Sequence, residues 1–210
     1  MSATPDSLIR LDGWVCERGG LLLWGPLDLT VAPGEAVHVQ GPNGCGKTTL
    51  LRTLAGLRPP AAARGSALCA DLWWIGHASA LAEDLDAALN LRLWLDVAGA
   101  SACPTERLRQ HLRDHGVPLG RPVRLLSAGQ RRKLALAPLA LAPRRLWLLD
   151  EPFDALDTAA CAALADLAAR HVAGGGAIVL TSHQPLPPRF PLSKNLLLRP
   201  PNKLSIKEHA

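Results

Sequence analysis

Short apolar runs alternate along this chain with longer amphipathic stretches. Leu8–Leu11, Leu21–Leu23 and Leu27–Val31 are brief, apolar and separated by glycine and proline. They predict strands of a small antiparallel sheet. Val37–Gln40 reads as a further strand. From Lys47 to Leu57 the leucines at 50, 51, 54 and 57 recur at helical spacing. Pro59 and Pro60 end that helix, and residues 61–66 read as a loop. Leu72–Ile75 is again strand-like.

From Asp84 to about Gly120 the pattern turns helical and more polar. Thr105–Leu112 is amphipathic, with Pro104 near its start and Gly116 near its end. Leu146–Leu149 is a continuous apolar run, as expected of a strand buried on both faces. Thr158–Val172 predicts a helix closed by Gly174, Gly175 and Gly176. Ala177–Thr181 and Asn195–Leu198 predict the last strands. Strands alternating with helices imply an α/β fold with a parallel sheet and right-handed crossovers.

Composition narrows the class. The chain has 210 residues, is 48 % apolar and carries a net charge of +5, which suits one globular domain, 1–210. No apolar stretch approaches the ~20 residues needed to cross a bilayer, and the Leu134–Pro143 run is interrupted by Pro138. The start, Met1–Asp6, is polar and does not read as a secretory signal. A membrane role is therefore expected to come through a partner. The five cysteines form no C-x-x-C pair, so neither a zinc site nor a disulfide framework is suggested. Cys45 alone sits where alkylation is expected to obstruct a ligand. The six tryptophans lie mostly in apolar runs rather than beside basic stripes, so no nucleic acid is expected as partner.

The chemistry concentrates in four segments. Gly41-Pro42-Asn43-Gly44-Cys45-Gly46-Lys47-Thr48 is a phosphate-binding loop between a strand and a helix, continued by Thr49. Its backbone N–H groups can form a cup at the positive end of that helix. Lys47 is placed for the β- and γ-phosphates of a nucleoside triphosphate, and the Thr48 hydroxyl for Mg2+. Leu146–Leu149 ends in Asp150 and Glu151. With the loop upstream, Asp150 is a second Mg2+ ligand and Glu151 a general base for water. In Leu126-Ser127-Ala128-Gly129-Gln130, Ser127 reads as a helix N-cap with free N–H groups behind it. His183 comes directly after a strand, near the same edge, where it can bond the γ-phosphate.

In their order along the chain (phosphate loop, Leu126–Gln130, Asp150-Glu151, then His183) the segments resemble the nucleotide-binding domains of ABC (ATP-binding cassette) transporters over about residues 8–185. The resemblance assigns Gly41–Thr48 to the Walker A loop and Leu126–Gln130 to the family signature. It assigns Leu146–Glu151 to Walker B, Asp154–Asp157 to the D-loop and His183 to the switch histidine. It implies a P-loop NTPase of ABC type: a mainly parallel core sheet, a small N-terminal antiparallel β subdomain and an inserted helical subdomain at approximately 84–137. It also implies a head-to-tail homodimer sandwiching two ATP molecules, with Ser127, Gly129 and Gln130 of one subunit facing the γ-phosphate held by Lys47 of the other.

The sequence departs from the family in places. Where a glutamine is usual after the second core strand, the chain reads Gly76-His77, making His77 a third catalytic candidate. Pro138 stands where the family helix usually has arginine, and is expected to kink or stop that helix near Ala137. The adenine-stacking position falls near Arg18, with Trp14 close by.

A narrower resemblance, carried by Trp74–His77, Ser127–Arg132, Leu146–Phe153 and Thr181–Gln184, is to the ATPase subunits of cytochrome c maturation transporters. It implies an ATPase held peripherally on the cytoplasmic face of a bacterial inner membrane. Its partners would be the integral subunits CcmB, CcmC and CcmD, and functionally the haem chaperone CcmE. The work would be haem export or release of haem-loaded CcmE. The alternative is the ATPase of another small ABC exporter with a different substrate.

Overall fold

The computed structural model describes residues 7–78 and 80–199; the polar stretch 1–6 lies outside them. The strands are β1 (Ile9–Arg18), β2 (Leu21–Val31), β3 (Ala36–Gln40), β4 (Gly65–Leu68), β5 (Leu72–Ile75), β6 (Leu146–Asp150), β7 (Ala177–Thr181) and β8 (Lys194–Leu197). The helices are α1 (Lys47–Leu54), α2 (Ala87–Val97), α3 (Thr105–Asp114), α4 (Ala128–Leu136), α5 (Pro138–Leu141) and α6 (Thr158–Ala173). β5, β6, β7, β3 and β8, in that spatial order, form a five-stranded parallel sheet. β2, β1 and β4 form a separate antiparallel sheet.

Continuous apolar strands produce two cores. On β6 and β7, Trp147, Leu149, Ile178 and Leu180 point into one core with Leu164, Ala165 and Ala168 of α6 and Leu91 and Leu108 of the helical stretch. Leu146, Leu148, Ala177 and Val179 point the other way, into a core with Leu50, Leu51 and Leu54 of α1 and Ile9, Leu11 and Val31 of the antiparallel sheet. At about 1.5–3 kcal/mol for each fully buried large apolar side chain, these two layers fix the sheet between them.

Local differences from the sequence reading have physical causes. Leu21–Leu23 and Leu27–Val31 are one strand, running through Gly25 and Pro26. β2 is an edge strand, and the β1–β2 register shifts around Trp14 and Cys16, so a residue without an N–H is accommodated there. Residues 65–68, expected partly in a loop, form β4. All four are exposed, so no apolar alternation marks them, and pairing with β1 makes them a strand. α1 stops at Leu54 because Leu57 N–H turns back to the Arg52 carbonyl at 2.9 Å. The helix after the signature stops at Leu136 with Ala137 as its cap, as expected, and Pro138 opens α5 as its first residue.

The carboxyl ends of β3, β5, β6 and β7 lie along one edge of the parallel sheet. The phosphate loop, Gly76–His77, Glu151 and Ser182–His183 come directly after these ends. No helix among the described residues is long and apolar enough to cross a membrane.

Candidate functional site

A cleft of about 540 Å3 opens at that edge. On one side it is lined by Asn43, Gly44, Gly46, Lys47, Thr48 and Thr49. On the other it is lined by His77, Asp150, Glu151 and His183. The two halves of the predicted site, about a hundred residues apart in sequence, therefore meet.

The loop is held open by its own chemistry. Gly46, the N-cap of α1, has φ +96, and a Cβ there would lie 2.7 Å from Trp24 Nε1. Only glycine fits both demands. No side chain caps α1, and its first turn holds no acidic residue. Its leading N–H groups and the positive helix end therefore face the cleft with no carboxylate of the helix's own first turn competing for them. Lys47 is buried, and its ammonium donates to the carbonyls of Gly41 at 2.9 Å and Pro42 at 3.4 Å. Its charge is thus poised across the loop. Cys45 is 5 % exposed and packs in the core below the loop. Its N–H, bonded to the Pro42 carbonyl at 3.3 Å, shapes the loop.

Across the cleft, Asp150 and Thr48 are bonded directly: Thr48 Oγ1 donates to Asp150 Oδ2 at 2.9 Å. Thr181 Oγ1 holds the other oxygen, Asp150 Oδ1, at 2.7 Å. A hydroxyl and a carboxylate side by side are hard oxygen donors, the kind Mg2+ takes. Glu151 is buried, with φ +52. Its N–H donates to Thr181 Oγ1 at 3.0 Å, and its Oε2 accepts the His183 N–H at 2.7 Å. The His183 ring lies on the solvent side, Nε2 3.5 Å from Glu151 Oε1. His77 is exposed, and its Nδ1 lies 3.6 Å from Asp154 Oδ2.

Ser127, Gly129 and Gln130 do not line this cleft. They form a capping box at the start of α4: Ser127 Oγ accepts from Gln130 N–H, and the Gln130 amide oxygen accepts from Ser127 N–H. The turn is exposed at Ser127, and a Cβ on Gly129 would lie 2.8 Å from the Ala155 carbonyl oxygen. The signature turn and the D-loop thus abut through a position that admits no side chain.

One expectation about the base pocket changes and one stands. Trp14 is 2 % exposed, inside the core, and cannot stack on a base. Arg18 and Leu23 stand at the cleft's rim. Two contributors went unread in the sequence. Thr181 bridges both Walker B carboxyl residues; a polar residue closing an apolar strand was its signal. Arg132 lies buried behind the site and had no signal beyond its place in Arg131-Arg132-Lys133. Burial lowers its pKa from the ordinary value, against the opposing pull of Asp154, Asp150 and Glu151.

The ABC transporter family model matches residues 25–154, and the chain belongs to that family of ATPases. ATP is therefore its ligand and ATP hydrolysis its reaction. Among curated relatives it is 45 % identical over 191 residues to the cytochrome c biogenesis ATP-binding export protein CcmA of Bordetella bronchiseptica, covering 85 % of this chain and 84 % of that one. It is 44 % identical over 188 residues to the CcmA of Aromatoleum aromaticum, covering 82 % and 86 %. With the CcmA of Rhodobacter capsulatus the identity is 38 % over 179 residues, covering 84 % and 81 %. Among solved structures, an ABC transporter ATP-binding protein from Pyrococcus furiosus superposes with a TM-score of 0.74 at 20 % identity. That match covers 90 % of this chain and 96 % of that one, a likeness of fold.

Proposed function

We propose that this chain is the ATP-hydrolysing subunit of an ABC transporter complex for cytochrome c biogenesis, powering haem export or release of haem-loaded CcmE. The observation that carries the reading is the 45 % identity to a CcmA protein over 85 % of the chain. The cleft, with its buried lysine, paired oxygen donors and buried glutamate, supports it. The whole chain 1–210 is read as one ATP-binding domain, with the helical part at about 84–137.

In this reading, Lys47 and the α1 N-terminus bind and orient the triphosphate. Thr48 and Asp150 hold Mg2+, which when bound neutralises charge developing on the phosphates. Glu151 takes the proton of the attacking water. Burial beside the His183 N–H fixes its carboxylate in one place, so little reorganisation precedes the reaction. His183 and His77 complete the polar wall of the cleft. Ser127, Gly129 and Gln130 reach the triphosphate bound by a second copy, since within one chain they stand outside the cleft. The complex is placed peripherally on the cytoplasmic face of a bacterial inner membrane, with CcmB, CcmC and CcmD as integral partners.

Affinity capture of the full chain from detergent-solubilised membranes of its own cells, with mass spectrometry of the co-purifying proteins, tests this. Recovery of cytochrome c maturation subunits is the expected result. Recovery of the membrane subunits of another exporter instead would select the alternative substrate.

A further inference from the structure

His38 stands in the middle of β3, between Val37 and Val39, and is 6 % exposed. A buried polar ring costs stability unless its nitrogens are bonded. Both are. Nε2 lies 3.2 Å from the Ser182 carbonyl oxygen, and Nδ1 lies 3.2 Å from the Gln40 side-chain amide nitrogen. A carbonyl oxygen only accepts, so Nε2 carries the hydrogen and donates to Ser182. Nδ1 then accepts from the Gln40 amide. Burial lowers the pKa of His38 from its ordinary value, against the Ser182 bond and Glu151 and with Lys47, which favours this neutral form.

The Ser182 carbonyl belongs to the peptide unit whose other end is the His183 N–H, and that N–H donates to Glu151 Oε2 at 2.7 Å. One amide therefore accepts from His38 at one end and donates to Glu151 at the other. Hydrogen bonds in such a chain polarise and strengthen one another. The register explains the reach. β3 and β7 run parallel with His38 opposite Leu180, and Ser182 lies two residues further on the same side. β7 ends at Thr181, so this peptide lies beyond the sheet ladder. His38 supplies what the ladder no longer does.

We propose that His38, backed by Gln40, is a positioning residue that acts through the Ser182–His183 peptide to hold the Glu151 carboxylate toward the cleft. It is not among the residues lining the cleft and acts only through that peptide. The proposal rests on Glu151 as the base of hydrolysis.

The test compares the purified full chain with His38→Asn and His38→Gln in steady-state MgATP hydrolysis. Glutamine places an amide N–H where Nε2 stood; asparagine is polar but one methylene too short. His38→Asn is expected to lower kcat by about ten- to a hundredfold, as misplacement of a reacting group does, with KM for ATP changed by less than about twofold. His38→Gln is expected to stay within about threefold of the parent. Amide exchange at His183, which does not depend on turnover, is expected to quicken in His38→Asn and stay parental in His38→Gln. In a Glu151→Gln background, His38→Asn is expected to add no further loss. An unchanged kcat in His38→Asn, equal losses in both variants, or an additive loss in the Glu151→Gln background overturns the proposal. Parental turnover in Glu151→Gln alone would instead remove the base itself, a separate failure that takes the proposal with it.

Discussion

The carbonyl oxygen of Glu151 accepts a hydrogen bond from the Arg132 guanidinium at 2.8 Å. The same guanidinium donates to the carbonyls of Asp150 at 2.9 Å, Gly76 at 2.8 Å and Pro152 at 3.2 Å. Arg132 stands on α4, the helix that Ser127 caps, so the signature turn, the Gly76–His77 turn and the Walker B turn are joined at one buried cation. Glu151 occupies a backbone region that L-residues adopt only under constraint, and these bonds to consecutive carbonyls provide the constraint.

Replacing Arg132 by Met leaves those carbonyls without their donor. The expected cost is about 3 kcal/mol, since each buried acceptor left unmade costs about 1–3 kcal/mol and partial rehydration offsets some. A chain of this size then melts about 6–12 °C lower. ATP binding should persist below the transition while turnover falls. Arg132→Lys should recover part of the stability, because an ammonium cannot fork across several planar acceptors. An unchanged melting temperature in Arg132→Met would contradict this role.

Cys45 should resist alkylation in the folded chain. It is 5 % exposed, whereas Cys69 and Cys161 are half-buried. Maleimide treatment and peptide mass spectrometry should show Cys69 and Cys161 modified before Cys45, with or without ATP. Labelling of Cys45 before Cys69 and Cys161 would contradict its burial.

Acid should destabilise the fold partly through His111. Burial, then the neighbouring His115 and Arg107, opposed by Asp114, lowers its pKa from 6.5 to about 4. Between those values the unfolded chain binds the proton and the folded chain does not, so stability falls as pH drops from 6.5 toward 4. Urea midpoints at several pH values should decline across this window, and His111→Gln should flatten the decline. An identical slope in the variant would contradict the assignment.

How much of the molecule was legible from sequence depends on how local each signal is. The phosphate loop, the strand ending in Asp150-Glu151 and the capped turn at Ser127 each lie within a few consecutive residues, and each can be read without knowing its neighbours in space. The burial of β6 and β7 on both faces was written in their unbroken apolar runs. The roles of Arg132 and Thr181 could not be read because their partners sit 18 to 56 and 30 to 31 residues away. Trp14 was misplaced for a related reason: proximity in sequence to Arg18 says nothing of which face of β1 a side chain takes, and Trp14 faces the core. β4 escaped because its strand character comes wholly from pairing with β1.

In the proposed dimer the Ser127–Gln130 turn of a second copy completes the cleft. Light scattering on the Glu151→Gln chain, with and without ATP, tests it most directly, because the variant should bind ATP and not release itself by hydrolysis. A mass of twice 22.3 kDa that appears only with ATP is the predicted result. A single-copy mass with ATP demonstrably bound would contradict it.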